Sequence, residues 1–472
     1  MAVGDTDGDG DVDIYISTCR PDNNIRNNFY ENRLVQTGSL SFVDIADTNG
    51  TQYMMNSYGS EFHDFNDDGR LDLFLVGADG LPSKIYRNNG SNQFTDVDAI
   101  TGHPLLSDTS GDLNGARAVD YDNDGDLDLF FHDHLPRAGH NEARKLYRND
   151  GNWQFTDVTA AAGLAATNQG AYDSTWGDID LDGDQDLIAP TDTNFAERVF
   201  VSNANTNGNH WLYVKLVGPS ENTTGIGATV HATIHEGTPQ ERTLRREANT
   251  NAGTFNQSDL PVHIGLGGAT QIDELRIVWP DGTVRTLQDV VVDRYLVVSI
   301  LPCDLDLNGL CNITDLNQLL GQGPVATGLT VTPGVNDRLD LTGDGLINLN
   351  DRDAWLAGAA IENGFASPYK LGDANLDGLV DGSDFNLWNS RKFTTTLAWH
   401  DGNFNGDTVV DGTDFNSWNA NKFTASDRVS LVPEMQAGWV ALVSVLSSLG
   451  FGRNPRRRAT SQAARPAANH SD

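Results

Sequence analysis

One nine-residue acidic unit recurs four times in the first half of the chain, and its period limits the fold more than any other feature of the sequence. Positions 1, 3, 5 and 9 are Asp5, Asp7, Asp9 and Asp13 in the first copy and Asp64, Asn66, Asp68 and Asp72 in the second. They are Asp120, Asp122, Asp124 and Asp128 in the third and Asp178, Asp180, Asp182 and Asp186 in the fourth. Successive copies begin 59, 56 and 58 residues apart. Glycine holds position 6 each time (Gly10, Gly69, Gly125, Gly183), where a sharp turn favours a residue without Cβ. A tight loop turns alternate side chains inward, so hard oxygen donors converge, and Ca²⁺ with its roughly six to eight oxygen ligands suits them. Position 7 (Asp11, Arg70, Asp126 or Asp184) would add its backbone carbonyl. An apolar run follows position 9 in every copy: Ile14-Tyr15-Ile16, Leu73-Phe74-Leu75, Leu129-Phe130-Phe131 and Leu187-Ile188. Short strands and turns at a fixed period read as a repeat architecture.

A second marker keeps the period. Lys84-Ile85-Tyr86-Arg87-Asn88-Asn89-Gly90 precedes Phe94-Thr95-Asp96-Val97, and Lys145-Leu146-Tyr147-Arg148-Asn149-Asp150-Gly151 precedes Phe155-Thr156-Asp157-Val158. Residues 1–208 therefore resemble the FG-GAP/VCBS-type repeats of integrin-like β-propellers. The resemblance implies blades of about four strands, each with one Ca²⁺ loop at its periphery. The expected fold is mainly β, a partial and open propeller of about four blades. The first blade is expected to be cut short, because Met1-Ala2-Val3-Gly4 leaves no room for a leading strand. No charged region followed by an apolar one precedes it, so the natural product is expected to start upstream with a signal peptide and further blades. His132-Asp133-His134 ends the third apolar run and reads as polar residues at a strand end rather than a metal or acid–base pair.

From Asn209 the texture changes. Trp211–Val217 is a strong strand, and Leu275–Trp279 alternates before a Pro280-Asp281-Gly282 turn, which predicts a hairpin in a small β-domain. With Gly225-Ile226-Gly227-Ala228 and His263-Ile264-Gly265-Leu266-Gly267, residues 209–301 resemble the ASPIC/UnbV domain, which follows FG-GAP repeats in bacterial surface proteins and in the cartilage acidic protein family. That family implies no catalytic residue. Arg245, Arg246 and Glu247 read as a solvated, salt-linked strand.

A longer acidic loop then appears four times. Its oxygen donors fall at positions 1, 3, 5, 9 and 12, the EF-hand spacing. The sets are Asp304, Asp306, Asn308, Asn312 and Asp315, then Asp340, Thr342, Asp344, Asn348 and Asp351. The last two are Asp373, Asn375, Asp377, Asp381 and Asp384, then Asn403, Asn405, Asp407, Asp411 and Asp414. Position 6 is glycine in three and Thr408 in the fourth, and position 12 is Asp rather than Glu. Helices are expected at Leu316–Leu320, Ala354–Ala357, Phe385–Lys392 and Phe415–Lys422. Asp384-Phe385-Asn386-Leu387-Trp388-Asn389 is nearly repeated as Asp414-Phe415-Asn416-Ser417-Trp418-Asn419. This loop–helix duplication resembles dockerin type I modules, best over 361–427, with 302–360 as a degenerate pair. The resemblance implies Ca²⁺ in the loops and a cohesin-like partner, with Gly382-Ser383 and Gly412-Thr413 at the recognition positions. A calcium-stiffened stalk without a docking partner is the competing reading.

The remainder, 428–472, holds Val432-Pro433-Glu434-Met435, an apolar run Ala437–Phe451 and the basic Arg453 and Arg456-Arg457-Arg458. That order resembles a PEP-CTERM sorting signal. It implies an apolar helix that enters the membrane transiently and secretion or surface display in a Gram-negative-type bacterium. The run falls short of the roughly 20 residues a stable span needs.

Charge narrows the partners. Lys plus Arg number 31 against 66 Asp plus Glu, a net charge of −35, which opposes nucleic acid. Of those acids, 28 stand at the ligand positions above, so most of the excess reads as demand for metal. The cysteines are Cys19, Cys303 and Cys311; the last two bracket one acidic loop and either pair in an oxidising compartment or stay free. No nucleophile, zinc or phosphate-loop motif is present. The sequence supports a secreted or surface calcium-binding scaffold that presents a binding or adhesion face to a glycan or surface protein. The alternative is a component of extracellular polysaccharide degradation, as an enzyme or a binding subunit.

Overall fold

The computed structural model describes residues 1–18, 26–54, 56–77, 81–101, 113–133, 144–165, 174–189, 198–219, 222–249, 260–306, 308, 310–332 and 335–428. The sorting-signal residues and His134 lie outside them, as do the apolar run and its expected helix. Met1–Asp427 forms one compact unit. No helix among the described residues is long and apolar enough to cross a membrane.

Each repeat folds as an antiparallel meander. The first comprises β1 (Ala2–Gly4), β2 (Asp13–Ile16), β3 (Asn28–Asn32) and β4 (Phe42–Asp44), with the short α1 (Leu34–Thr37) between the last two. The second comprises β5 (Ser57–His63), β6 (Asp72–Gly77), β7 (Lys84–Asn88) and β8 (Phe94–Asp96), followed by α2 (Val97–Thr101). The third comprises β9 (Leu113–Val119), β10 (Asp128–Asp133), β11 (Arg144–Asn149) and β12 (Phe155–Asp157). The fourth shows three strands, β13 (Thr175–Gly177), β14 (Asp186–Ala189) and β15 (Arg198–Phe200). In the first blade Ala2, Val3 and Gly4 pair with Tyr15, Ile14 and Asp13, a shorter leading strand than β5 or β9.

The alternation of the second strands stacks the blades. Leu73 and Leu75 of β6 join a core with Tyr15 and Phe29 of the first sheet, while Phe74 and Val76 turn to Leu129 and Phe131 of the third. Phe130, between those two, packs with Trp176 and Leu187 of the fourth. A strand buried on both faces reads as a continuous apolar run, and each such side chain stabilises the stack by about 1.5–3 kcal/mol. None of the sheets closes on itself, so the repeats form an open arc.

The small β-domain pairs two sheets over one core. β16 (His210–Val217) lies between β19 (Val262–Gly267) and the parallel β22 (Arg294–Ser299). The other sheet has the order β18 (Arg242–Glu247), β17 (Thr229–Ile234), β20 (Gln271–Val278), β21 (Val284–Val291). β20 and β21 form the hairpin expected from Pro280-Asp281-Gly282. Leu212, Val214, Val230, Leu275 and Leu296 are among the residues buried between the sheets.

Beyond it, α3 (Ile313–Leu320), α4 (Leu349–Glu362), α5 (Gly382–Arg391) and α6 (Gly412–Asn421) each follow one EF-type loop. All four begin earlier than the apolar residues indicate, because the loop itself starts them. The side chains of Asn312, Asn348, Asp381 and Asp411 cap the first turn, and Asp315, Asp351, Asp384 and Asp414 return the bond in a capping box. One apolar cluster runs from Cys303 to Phe404 and draws in Trp388 and Trp418, so the two loop pairs share a core. Cys303 and Cys311 are joined in a disulfide with Cα atoms 5.1 Å apart, which decides the pairing that spacing left open.

Candidate metal centres

In the four blade loops one wiring scheme recurs. The loop links the first strand to the second, and position 9 is the first residue of the second strand. The amide of the position-6 glycine donates to Oδ2 of position 1: Gly10 to Asp5 (3.0 Å), Gly69 to Asp64 (2.8 Å), Gly125 to Asp120 (3.0 Å) and Gly183 to Asp178 (2.7 Å). Those glycines have φ of +96°, +81°, +93° and +96°, the left-handed region. Position 9 ties the loop to the sheet. Asp72 accepts from Phe65 N and Asn88 N, Asp128 from Tyr121 N and Asn149 N, Asp186 from Ile179 N and Ser202 N. Asp13 does the same with Thr6 N and Asn32 N. The position-7 side chains of Asp126, Asp184 and Asp11 turn to Arg242, Asn123 and Val35 N, while Arg70 donates to Asn88 O and pairs with Asp68 of its own loop.

The carboxylates converge. Ligand atoms of Asp5, Asp7 and Asp9 lie within 4.8 Å of one another, as do those of Asp120, Asp122 and Asp128, and of Asp178, Asp180 and Asp186. Asp304, Asp306 and Asp315 form a fourth such group and Asp340, Asp344 and Asp351 a fifth. Asp13, Asp124 and Asp182 stand outside these groups. The other three loops carry Asn in the set (Asn66, Asn375, Asn403 and Asn405) and do not gather three carboxylates this closely. In the last, the Asn403 amide is committed to Thr396 O and Asp407 O while its oxygen accepts from Gly406 N, which leaves it a poorer donor set.

Burial dominates the electrostatics of these loops. Burial raises Asp7 to about 6 with help from Asp13 and Asp9, and raises Asp124 to about 7 with help from Asp122. Asp120 and Asp128 rise well above the usual range, chiefly by burial. Among the EF-type loops burial lifts Asp351 to about 6 and Asp373 to about 7. Asp120 Oδ1 and Asp122 Oδ1 are buried without a hydrogen-bond partner. An unsatisfied buried polar atom costs about 1–3 kcal/mol, more when charged, and a hard cation satisfies both oxygens at once. The residues present fit such an ion, which when bound neutralises the loop and cross-links its ligands.

The β-domain sits directly on these loops. Arg242 bridges Asp67 and Asp126, Arg245 donates to Gly69 O (2.8 Å), and Arg246 donates to Gly125 O (2.9 Å) and lies 4.0 Å from Asp120 Oδ2. Tyr295 Oη donates to Asp178 Oδ2 (2.9 Å), and Arg294 Nη1 donates to Asp340 Oδ2 (2.7 Å) in the first turn of an EF-type loop. The strand at Arg245-Arg246-Glu247 is salt-linked as expected, Arg245 to Glu247 at 2.9 Å, but it is not solvated; Arg246 is only 7% exposed. Local sequence could not reveal this, since the loop partners lie over a hundred residues away. The excess of arginine on one strand of an acidic chain was the available signal. The blade loops are accordingly an interface and not a free periphery. His132 lies near the end of β10 as expected and is buried, packed against Gly115 and Phe130, and burial with Arg117 and Arg144 nearby lowers it to about 3.

Residues 64–131 match the FG-GAP-like repeat, and residues 218–300 match the family described as ASPIC and UnbV. The chain has an FG-GAP and ASPIC/UnbV core. Cartilage acidic protein 1 of Mus musculus is 26% identical over 280 residues, covering 57% of this chain and 41% of that protein. The Homo sapiens protein is likewise 26% identical over 280 residues, 57% of this chain and 40% of that one. The chain thus spans about two-fifths of the length of these relatives. A solved structure, titled for recognition of non-reducing terminal N-acetylglucosamine by an Agrocybe aegerita lectin, covers 61% of this chain and 79% of its own at 16% identity. Its TM-score is 0.26, too low to carry an argument. The ASPIC/UnbV domain is the element that covers the FG-GAP loops.

Proposed function

We propose that this chain is an extracellular calcium-binding scaffold of the binding or adhesion type. The observation that carries the reading is the pair of buried, unpartnered oxygens on Asp120 and Asp122, inside a loop whose wiring recurs in every blade. The FG-GAP repeats, the cartilage acidic protein relatives and the Cys303–Cys311 disulfide support an oxidising, extracellular setting. The arc and the ASPIC/UnbV domain present the ligand face, to a glycan or surface protein. The dockerin-like pair of helices attaches the chain to a cohesin-like partner. Its support is the exposure of Phe393 (78%) and Phe423 (81%), equivalent residues placed just beyond α5 and α6. Calcium titration by calorimetry, with melting in calcium and in EDTA, tests the metal reading. Several bound ions and a large loss of Tm in EDTA are expected, because an ion that binds only the folded state stabilises it by mass action. No binding overturns it. Replacement of Phe393 and Phe423 by alanine tests the docking reading against an immobilised cohesin-like domain.

A further inference from the structure

Three donors of the ASPIC/UnbV domain act on one kind of atom. Tyr295 Oη reaches Oδ2 of Asp178, Arg294 Nη1 reaches Oδ2 of Asp340, and Arg246 Nη2 lies 4.0 Å from Oδ2 of Asp120. Each of these aspartates is position 1 of its loop. Each Oδ2 is also the oxygen that accepts the position-6 glycine amide, from Gly183, Gly345 and Gly125 respectively. Two of the three loops belong to the blades and the third lies on the far side of the domain, in the EF-type region. The same oxygen therefore accepts a hydrogen bond from the domain in two loops of different design, and in a third it faces a guanidinium at 4.0 Å. Asp373 provides the contrast: its Oδ2 accepts from Gly378 N alone among the described residues.

We infer that Tyr295, Arg294 and Arg246 are positioning residues for the metal ligands of these three loops, so that the ASPIC/UnbV domain completes sites whose first shell lies outside it. The inference rests on the calcium reading above. With Oδ2 held by the loop amide and the domain's donor, rotation of the carboxylate is restricted; Oδ1 of Asp120 is left without a partner, while Oδ1 of Asp178 and of Asp340 accepts loop amides. Outer donors of this kind fix ligand orientation, and their loss typically lowers metal affinity about 10–100-fold. Coupling is reciprocal: an ion that orders the loop also orders the surface on which the domain docks. Close approach is built in, since a Cβ on Gly265 would lie 2.1 Å from Asp120 Oδ2.

The test uses the whole chain, calcium alone as the probe, calorimetric titration, and melting in excess calcium and in EDTA. Tyr295→Phe removes one hydroxyl and keeps the ring that stacks on Tyr213 at 4.6 Å. Arg294→Gln removes the guanidinium at the other face. Each variant is expected to weaken one site about tenfold or more while the remaining sites titrate as in the parent chain. Its Tm deficit should be larger in calcium than in EDTA. A merely structural role would lower Tm equally in both and leave the titration unchanged, which would overturn the inference. Asp178→Asn identifies the site that Tyr295→Phe must affect. If the parent chain binds calcium and both variants match it, the positioning role falls while the calcium reading stands; if the parent chain binds none, both fall.

Discussion

At the scale of single residues, the acidic loops set a measurable pH dependence. Without metal, burial raises Asp7, Asp64 and Asp182 to about 6 and Asp124 and Asp373 to about 7, against an unfolded value near 3.8. The folded chain then holds more protons than the unfolded chain between about pH 4 and 7, so its stability falls as pH rises through that window. Bound calcium reverses the sign, because it binds the deprotonated carboxylates. Melting in EDTA should therefore give a higher Tm at pH 5 than at pH 7.5, and melting in millimolar calcium the opposite order. The same order in both buffers would show that the loops hold no ion. Gly265 supplies a second test. A methyl group there would press on Asp120 Oδ2 and on Asn123 Cα at 2.6 Å, so Gly265→Ala should cost about 1–3 kcal/mol, read by denaturant unfolding.

At the scale of elements, the second strand of each blade is the joint of the arc. Phe74 of β6 packs edge-on against Phe131 of β10 with ring centroids 5.6 Å apart, and it is fully buried. Phe74→Ala should cost about 3–5 kcal/mol in chemical unfolding, with or without calcium. The helices of the EF-type region obey a local rule instead. Their starts were legible in sequence only in part: the apolar residues point to Leu316, Ala354, Phe385 and Phe415, whereas the caps at Asn312, Asn348, Asp381 and Asp411 begin each helix several residues earlier. Those residues stand at ligand positions of the loops and cap the helices as well.

At the scale of the whole molecule, the chain carries a net charge of −35, and the β-domain contributes arginines to acidic loops on two sides. Raising ionic strength from about 0.05 M to 0.5 M shortens the screening length from over 10 Å to a few Å. Tm in EDTA should rise over that range, and Tm in saturating calcium should move much less; equal shifts would mean that surface charge, and not the loops, dominates. The period, the position-6 glycines and the apolar second strands were legible from the amino acids alone, because each is a local pattern, and the β-domain was legible by resemblance. The pairing of Ala2–Gly4 with the second strand, the Cys303–Cys311 bridge and the burial of Arg246 were decided only in three dimensions. In each case the deciding partner is fixed by how chains cross in space: Tyr15 against Ala2, one cysteine against another, an arginine strand laid over carboxylates more than a hundred residues away. Spacing along a chain carries no information about such distances, and charge complementarity chooses its partner only once the sheets have stacked.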